Sequence, residues 1–201
     1  MILLDRRIAD RVHGSYGVPS GLVMTTGGGE TLAAYIKRVT RRMDAANGPF
    51  KHLSIMAHGI ERSVMCKGNN ISKQSGGFGV QLASNITPKT YKELAPLASR
   101  LAKGAKVTIY ACAAAEVACP PPAKASSIRQ SKGHGINLMR NIARTLGATV
   151  IASDTTQEYK TIHWDPLIGG DVSIAKFGKW EGNVYAFQPG GNWRKIASNP
   201  V

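Results

Sequence analysis

The chain has 201 residues, enough for one domain with a substantial core, and 43% hydrophobic with 19% charged residues suggests neither disorder nor a coiled coil. Lysine and arginine number 26 against 12 acids, a formal net charge of +14 that favours polyanionic or acidic partners. No apolar run is long enough to span a bilayer, and the opening MILLDRRIADR is too short in its apolar part for a secretory signal. The expectation is a cytoplasmic protein, with delivery to another cell by a non-Sec route left open.

Residues 1–29 are glycine-rich and without a clear period. GLVMTT (21–26) is predicted as the first strand, and Gly27, Gly28 and Gly29 as a strand-to-helix turn, since the GxxxxGK[ST] pattern of a phosphate loop is missing. Residues 30–46 are predicted as a helix, with Leu32, Tyr35, Ile36, Val39 and Met43 on one side. Lys37, Arg38, Arg41 and Arg42 lie mostly on the other. LSIMAHG supplies a strand over 51–57 that ends at His58. Within 60–85, VMCKGNN and GGFGVQLAS are predicted as two short strands of a hairpin-like insertion.

Thr87 and Pro88 suit a helix start, with Tyr91, Leu94, Leu97 and Leu101 as its apolar stripe, a kink at Pro96 and a cap at Gly104. VTIYAC is a strand ending on Cys112. The prolines of CPPP (119–122) open an exposed loop over 119–132 that carries Lys124, Arg129 and Lys132. INLMRNIARTLG (136–147) is a helix and TVIASD (149–154) a strand. The remainder, with DVSIAKFG, NVYAFQ and NWRKI, is expected as short strands, antiparallel at one edge. No internal repeat or second domain is visible, so residues 1–201 are taken as one domain.

Alternating strands and helices predict an α/β fold: a mostly parallel central sheet, helices on both faces, and a small antiparallel edge or hairpin insertion. Chemistry in such sheets collects at the carboxyl ends of strands. His58 and Cys112 both stand there, on strands expected to be neighbours. A thiolate is a strong nucleophile, an adjacent imidazolium favours it, and the imidazole can protonate a leaving amine. Gly59 leaves room for a substrate backbone, and its amide can donate to an oxyanion. The small residues Ala111, Ala113, Ala114 and Ala115 keep the thiol uncrowded.

Each residue also has a plainer role. A cysteine is often core packing, and a strand-ending histidine often a surface group. The pairing of two such strand ends is what favours a Cys-His dyad. The cysteines are Cys66, Cys112 and Cys119, an odd, low count that argues for free thiols rather than a disulfide framework. With His58 they are chemically suited to zinc, but no CxxC or HxxxH spacing is present, so neither a metal nor another cofactor is expected. Aromatic content of 6% weakens a nucleic-acid reading, which wants stacking residues among the basic ones.

LSIMAHG, TIYAC and IARTLGATVIASD together resemble the caspase-like (clan CD) cysteine peptidases, in the style of the bacterial and toxin-type members with a His-Gly strand followed by a Cys strand. The resemblance spans residues 50–155. It implies a caspase-like three-layer sandwich and cysteine-peptidase activity on a protein or peptide substrate. It also implies Cys112 as nucleophile, His58 as general acid/base, and the amides of Gly59 and Cys112 as the oxyanion hole. The strand after the cysteine helix helps form the pocket preceding the cut in these families. Here that strand ends in Asp154, with Glu158 close behind, which implies a preference for lysine or arginine. Toxin-type members are switched on by inositol hexakisphosphate at a basic patch, and residues 37–42 are the matching cluster. The pentapeptide around the caspase cysteine is absent, since this chain has IYACA, so aspartate specificity is not carried over.

Two function classes follow. One is a cysteine endopeptidase, self-processing included. The other is a non-catalytic scaffold of the same shape that holds an anionic partner, whether nucleic acid, an inositol phosphate or an acidic protein, on its basic surface.

Overall fold

The computed structural model describes residues 1–9, 20–60, 62–65, 72–75, 77–116, 134–155, 157, 161–165, 170–173 and 180–196. Its strands are β1 (Ile2–Leu4), β2 (Val23–Thr25), β3 (Phe50–Met56), β4 (Arg62–Met65), β5 (Ser72–Ser75), β6 (Leu101–Tyr110), β7 (Thr149–Ser153), β8 (Thr161–Asp165), β9 (Gly170–Ser173), β10 (Val184–Phe187) and β11 (Trp193–Ile196). The α-helices are α1 (Arg6–Ala9), α2 (Leu32–Ala45) and α3 (His134–Leu146), with 3-10 helix at Ser20–Leu22 and Tyr91–Arg100.

Seven strands form one sheet in the order β11-β10-β7-β6-β3-β1-β2. From β2 to β7 all neighbours are parallel; β10 runs antiparallel to β7, and β11 to β10. The α/β class, the mostly parallel sheet and the antiparallel edge are therefore present. β4 with β5 and β8 with β9 form separate two-stranded ladders.

The core lies under one face. Leu53 and Ile55 of β3 stand in register with Val107 and Ile109 of β6, and all four are fully buried. Against them pack Leu32, Tyr35, Ile36, Val39 and Met43 of α2, Leu94 and Leu97 of the second 3-10 segment, and Met139, Ile142 and Leu146 of α3. The α2 stripe is the predicted one, and Thr31 caps that helix by accepting from the Ala34 amide at 3.2 Å.

The connections β2→β3, β3→β6 and β6→β7 all step the same way across the sheet. Right-handed crossovers therefore put their helices on one face. The connection β1→β2 steps the other way and opens with α1, whose Ile8 is buried. Of the expected second helical layer the described residues contain that single turn. The same face carries a small cluster of Ile151, Trp180 and Val184, with Tyr110 stacked on Trp180 at a centroid distance of 4.5 Å.

Four local expectations are corrected. β1 lies between β2 and β3, although three residues are too few to display a period; it is fully buried, as an interior parallel strand should be. The helix expected to run up to Gly104 is 3-10 and stops at Arg100. Pro96 supplies no backbone donor there. Gly104 is not a cap: at φ +76 it sits inside β6 where the register slips between Phe50–Leu101 and His52–Lys106, the signature of a bulge. The insertion pairs Arg62–Met65 with Ser72–Ser75, whereas GGFGVQLAS bends at Val80, which bridges to Gly59 and to Ile86. The loop expected over 119–132 lies outside the described residues.

Candidate active site

β3 and β6 stay in register up to Met56–Tyr110, and the Ala57 amide donates to the Tyr110 carbonyl at 3.1 Å. Two residues further on, His58 and Cys112 leave the carboxyl ends of these adjacent central strands, both half-buried. Their backbones converge: a Cβ on Gly59 would lie 1.8 Å from the Cys112 carbonyl oxygen and 3.0 Å from the Cys112 nitrogen. Only glycine permits that approach.

Cys112 begins a tight turn in which Ala113 adopts φ +47, a left-handed conformation costing an L-residue roughly 1–2 kcal/mol. The turn is stitched to the end of β7. The Ala113 amide donates to the Thr155 carbonyl at 2.9 Å and the Ala115 amide to the Ser153 carbonyl at 2.8 Å. Ala113, Ala114 and Ala115 are buried, so these small residues do more than keep the thiol uncrowded: they let the turn sit against its neighbours. Gly135 near the start of α3 touches the same turn, since a Cβ there would lie 2.6 Å from the Glu116 carbonyl oxygen. The Cys112 thiol donates to the Gln157 carbonyl at 3.7 Å.

Among the described residues, neither the Gly59 amide nor the Cys112 amide meets an acceptor. Backbone amides of this kind are the donors that an oxyanion in an acyl-transfer step uses.

Asp154 closes β7 on the same rim. Its carboxylate accepts from the Asn183 amide, the Asn183 side chain and the Thr155 hydroxyl, each at 2.9 Å, and from the Tyr185 hydroxyl at 3.1 Å. Burial works to raise its pKa, but the hydrogen bonds from Asn183, Thr155 and Tyr185 together hold it below the ordinary carboxylate value. An ionised carboxylate therefore stands at the end of β7 with its oxygens already engaged, on the side of Ala152 and Tyr185, whereas Cys112 follows Tyr110, which packs with Ile151 and Trp180. Glu158, Cys66 and Cys119 lie outside the described residues, within which no group of three or more His, Cys, Asp or Glu is placed to hold a metal ion.

A group not singled out in the sequence supports the His58–Gly59 peptide. Asp5 is 1% exposed and takes the Arg7 Nε at 2.6 Å and Nη2 at 2.8 Å. Arg7 also donates to the Gln81 carbonyl at 2.6 Å and to its Oε1 at 3.1 Å. The Gln81 amide in turn donates to the His58 carbonyl at 2.7 Å. The signal in the sequence was DRR placed directly after a wholly apolar MILL. Beside this group, at the carboxyl ends of β1 and β2, a cavity of about 350 Å³ is lined by Arg6, Arg7, Thr26, Gly28, Glu30 and Ser84 among others.

No protein-family model matches the chain, and no curated protein or solved structure matches it. Its chemistry therefore rests on its own residues.

Of the four cations singled out on α2, Arg38 pairs with Glu30 at 2.9 Å and Arg42 donates to the Gly21 carbonyl at 2.6 Å. Lys37 and Arg41 are exposed and have no side-chain partner among the described residues. Among those residues no helix is long and apolar enough to cross a membrane.

Proposed function

We propose that the chain is a cysteine endopeptidase of caspase-like architecture, acting on amide bonds of protein or peptide substrates in the cytoplasm. The observation that carries this reading is the contact of Gly59 with Cys112 at the carboxyl ends of two central parallel strands, beside amides that have no acceptor among the described residues. In the first step the Cys112 thiolate attacks the scissile carbonyl. The C–S bond forms, the carbonyl π pair moves onto oxygen, and the Gly59 and Cys112 amides donate to it. As the C–N bond breaks, His58 passes its proton to the leaving amine. Water, deprotonated by His58, then attacks the thioester; the C–S bond breaks and the thiolate returns.

Asp154 and Glu158 give the pocket its preference for lysine or arginine before the cut. Because the oxygens of Asp154 are engaged by four donors, its part in that preference is a through-space field rather than a direct ion pair. The basic stretch 124–132 is the site for self-processing. The second reading, a non-catalytic scaffold for nucleic acid, an inositol phosphate or an acidic protein, is favoured by exposed Lys37 and Arg41 and the +14 charge.

The test is labelling of the intact chain with a peptide probe bearing a thiol-reactive group, followed by mapping of the adduct. Selective modification of Cys112, lost in His58→Ala, is expected. Equal modification of Cys66 and Cys119, with polyanion binding as the remaining activity, would favour the scaffold.

A further inference from the structure

We propose that Arg7 is a positioning residue that aims and strengthens the Gly59 N–H as an oxyanion donor, through a continuous chain of peptide hydrogen bonds. This rests on the peptidase reading above.

The chain can be followed bond by bond. Arg7 Nη2 donates to the Gln81 carbonyl at 2.6 Å. That carbonyl shares a peptide unit with the Leu82 N–H, which donates to the Val80 carbonyl at 2.9 Å. The Val80 carbonyl shares a peptide unit with the Gln81 N–H, which donates to the His58 carbonyl at 2.7 Å. The His58 carbonyl shares a peptide unit with the Gly59 N–H. A cation stands at one end of this chain and the candidate oxyanion donor at the other.

Two consequences follow. A trans peptide is planar, so its N–H points opposite to its C=O. Fixing the His58 carbonyl on Gln81 therefore directs the Gly59 N–H away from Gln81. The antiparallel bridge of Gly59 with Val80 agrees: its flanking bonds are Gln81 N to His58 O and Ile60 N to Gly79 O at 3.0 Å, which leaves the Gly59 N–H facing away from Val80, while the Gly59 carbonyl accepts from the Gln81 side chain at 3.5 Å. On the remaining side the Gly59 Cα rests against Cys112. The second consequence is electronic. Each hydrogen bond accepted by a peptide carbonyl polarises the N–H of the same unit, a gain of about 10–30% per bond in condensed phase. Val80 adds to it, because its carbonyl also accepts from the Ile86 amide at 2.8 Å.

Asp5 keeps Arg7 in place. Its carboxylate takes Nε and Nη2 bidentately and is 1% exposed, while the Asp5 amide donates to the Met56 carbonyl of β3 at 2.9 Å. The guanidinium fork matters: Nε and Nη2 hold Asp5 while Nη1 and Nη2 hold Gln81, an arrangement that an ammonium cannot reproduce.

The experiment measures protection of Cys112 from iodoacetamide by a panel of peptide aldehydes ending in Arg, Lys, Asp, Asn or Leu, on the full chain. An aldehyde forms a thiohemiacetal whose oxygen takes the oxyanion position; alkylation by iodoacetamide has no such oxygen. Deleting an oxyanion donor outright costs about 10²–10³ in rate, so loss of its polarisation in Arg7→Gln should weaken the best aldehyde roughly tenfold. The alkylation rate without aldehyde should stay unchanged, and Arg7→Lys should fall between. Unweakened protection in Arg7→Gln overturns the inference and leaves the peptidase reading intact. Failure of every aldehyde to protect the unsubstituted protein overturns both. If Arg7→Gln does not fold, Arg7→Lys decides alone: weakened protection at an unchanged alkylation rate supports the proposal, and unchanged protection overturns it.

Discussion

Gly59 presses on the backbone of Cys112 so closely that a single methyl would come within 1.8 Å of the Cys112 carbonyl oxygen. The obstacle is backbone on both sides, so no side chain can swing aside. Gly59→Ala should therefore push the ends of β3 and β6 apart, destabilising the fold by about 1–3 kcal/mol as overpacking does. Thermal unfolding measures the loss, and Cys112-directed labelling should fall with it. An unaltered midpoint would mean that the two strand ends do not touch.

The left-handed turn at Ala113 makes an opposite prediction for its neighbour. Ala113→Gly removes the Cβ from a φ of +47 and should leave stability unchanged or raise it by up to about 1 kcal/mol, the relief being partly offset by a freer unfolded chain. Ala113→Val adds branching at a buried left-handed position and should destabilise by more than about 2 kcal/mol. Denaturant midpoints of the two variants read the difference directly.

Asp154 supplies a pH dependence. Its pKa in the folded protein lies below the ordinary carboxylate value, near 3.9 in an unfolded chain. The ionised form is thus favoured by folding. Its contribution is complete above about pH 4 and is lost as pH falls through the lower, folded value. Asp154→Asn should reduce stability at neutral pH and flatten the acid limb of a stability–pH curve below about pH 4. An acid limb as steep as that of the parent protein would assign the transition to other carboxylates.

Lys37 and Arg41 separate surface charge from the Cys112 site. Replacing both with glutamine should weaken binding to a polyanion such as heparin. The salt slope of log K should fall by about 0.9 for each anionic group no longer neutralised on a polyanion as dense as duplex DNA, and by less on a sparser one. Labelling of Cys112 should be untouched, since both side chains sit on the exposed side of α2. A parallel drop in Cys112 reactivity would show that the basic face and the thiol are coupled.

Much of the architecture was legible because it is local. The stripe from Leu32 to Met43 and the apolar runs before His58, Cys112 and Asp154 announce burial within a few residues of themselves, and each became an element near its expected bounds. Gly104 shows where local reading fails. The same glycine suits a helix cap or a strand bulge, and the slip in pairing between β3 and β6 selects the bulge. β1 fails for a different reason: three apolar residues carry no period, and their place between β2 and β3 depends on strands far along the chain.

By itself the sequence determined which segments must be buried and which residues stand at their ends, because apolar period and the backbone limits of glycine and proline act over single turns. The tertiary structure decided what those ends face. Gly59 meets Cys112, Asp154 is filled by Asn183, Thr155 and Tyr185, and Arg7 reaches Gln81, because strand register and crossover direction are set by the packing of the whole sheet rather than by any one window of it.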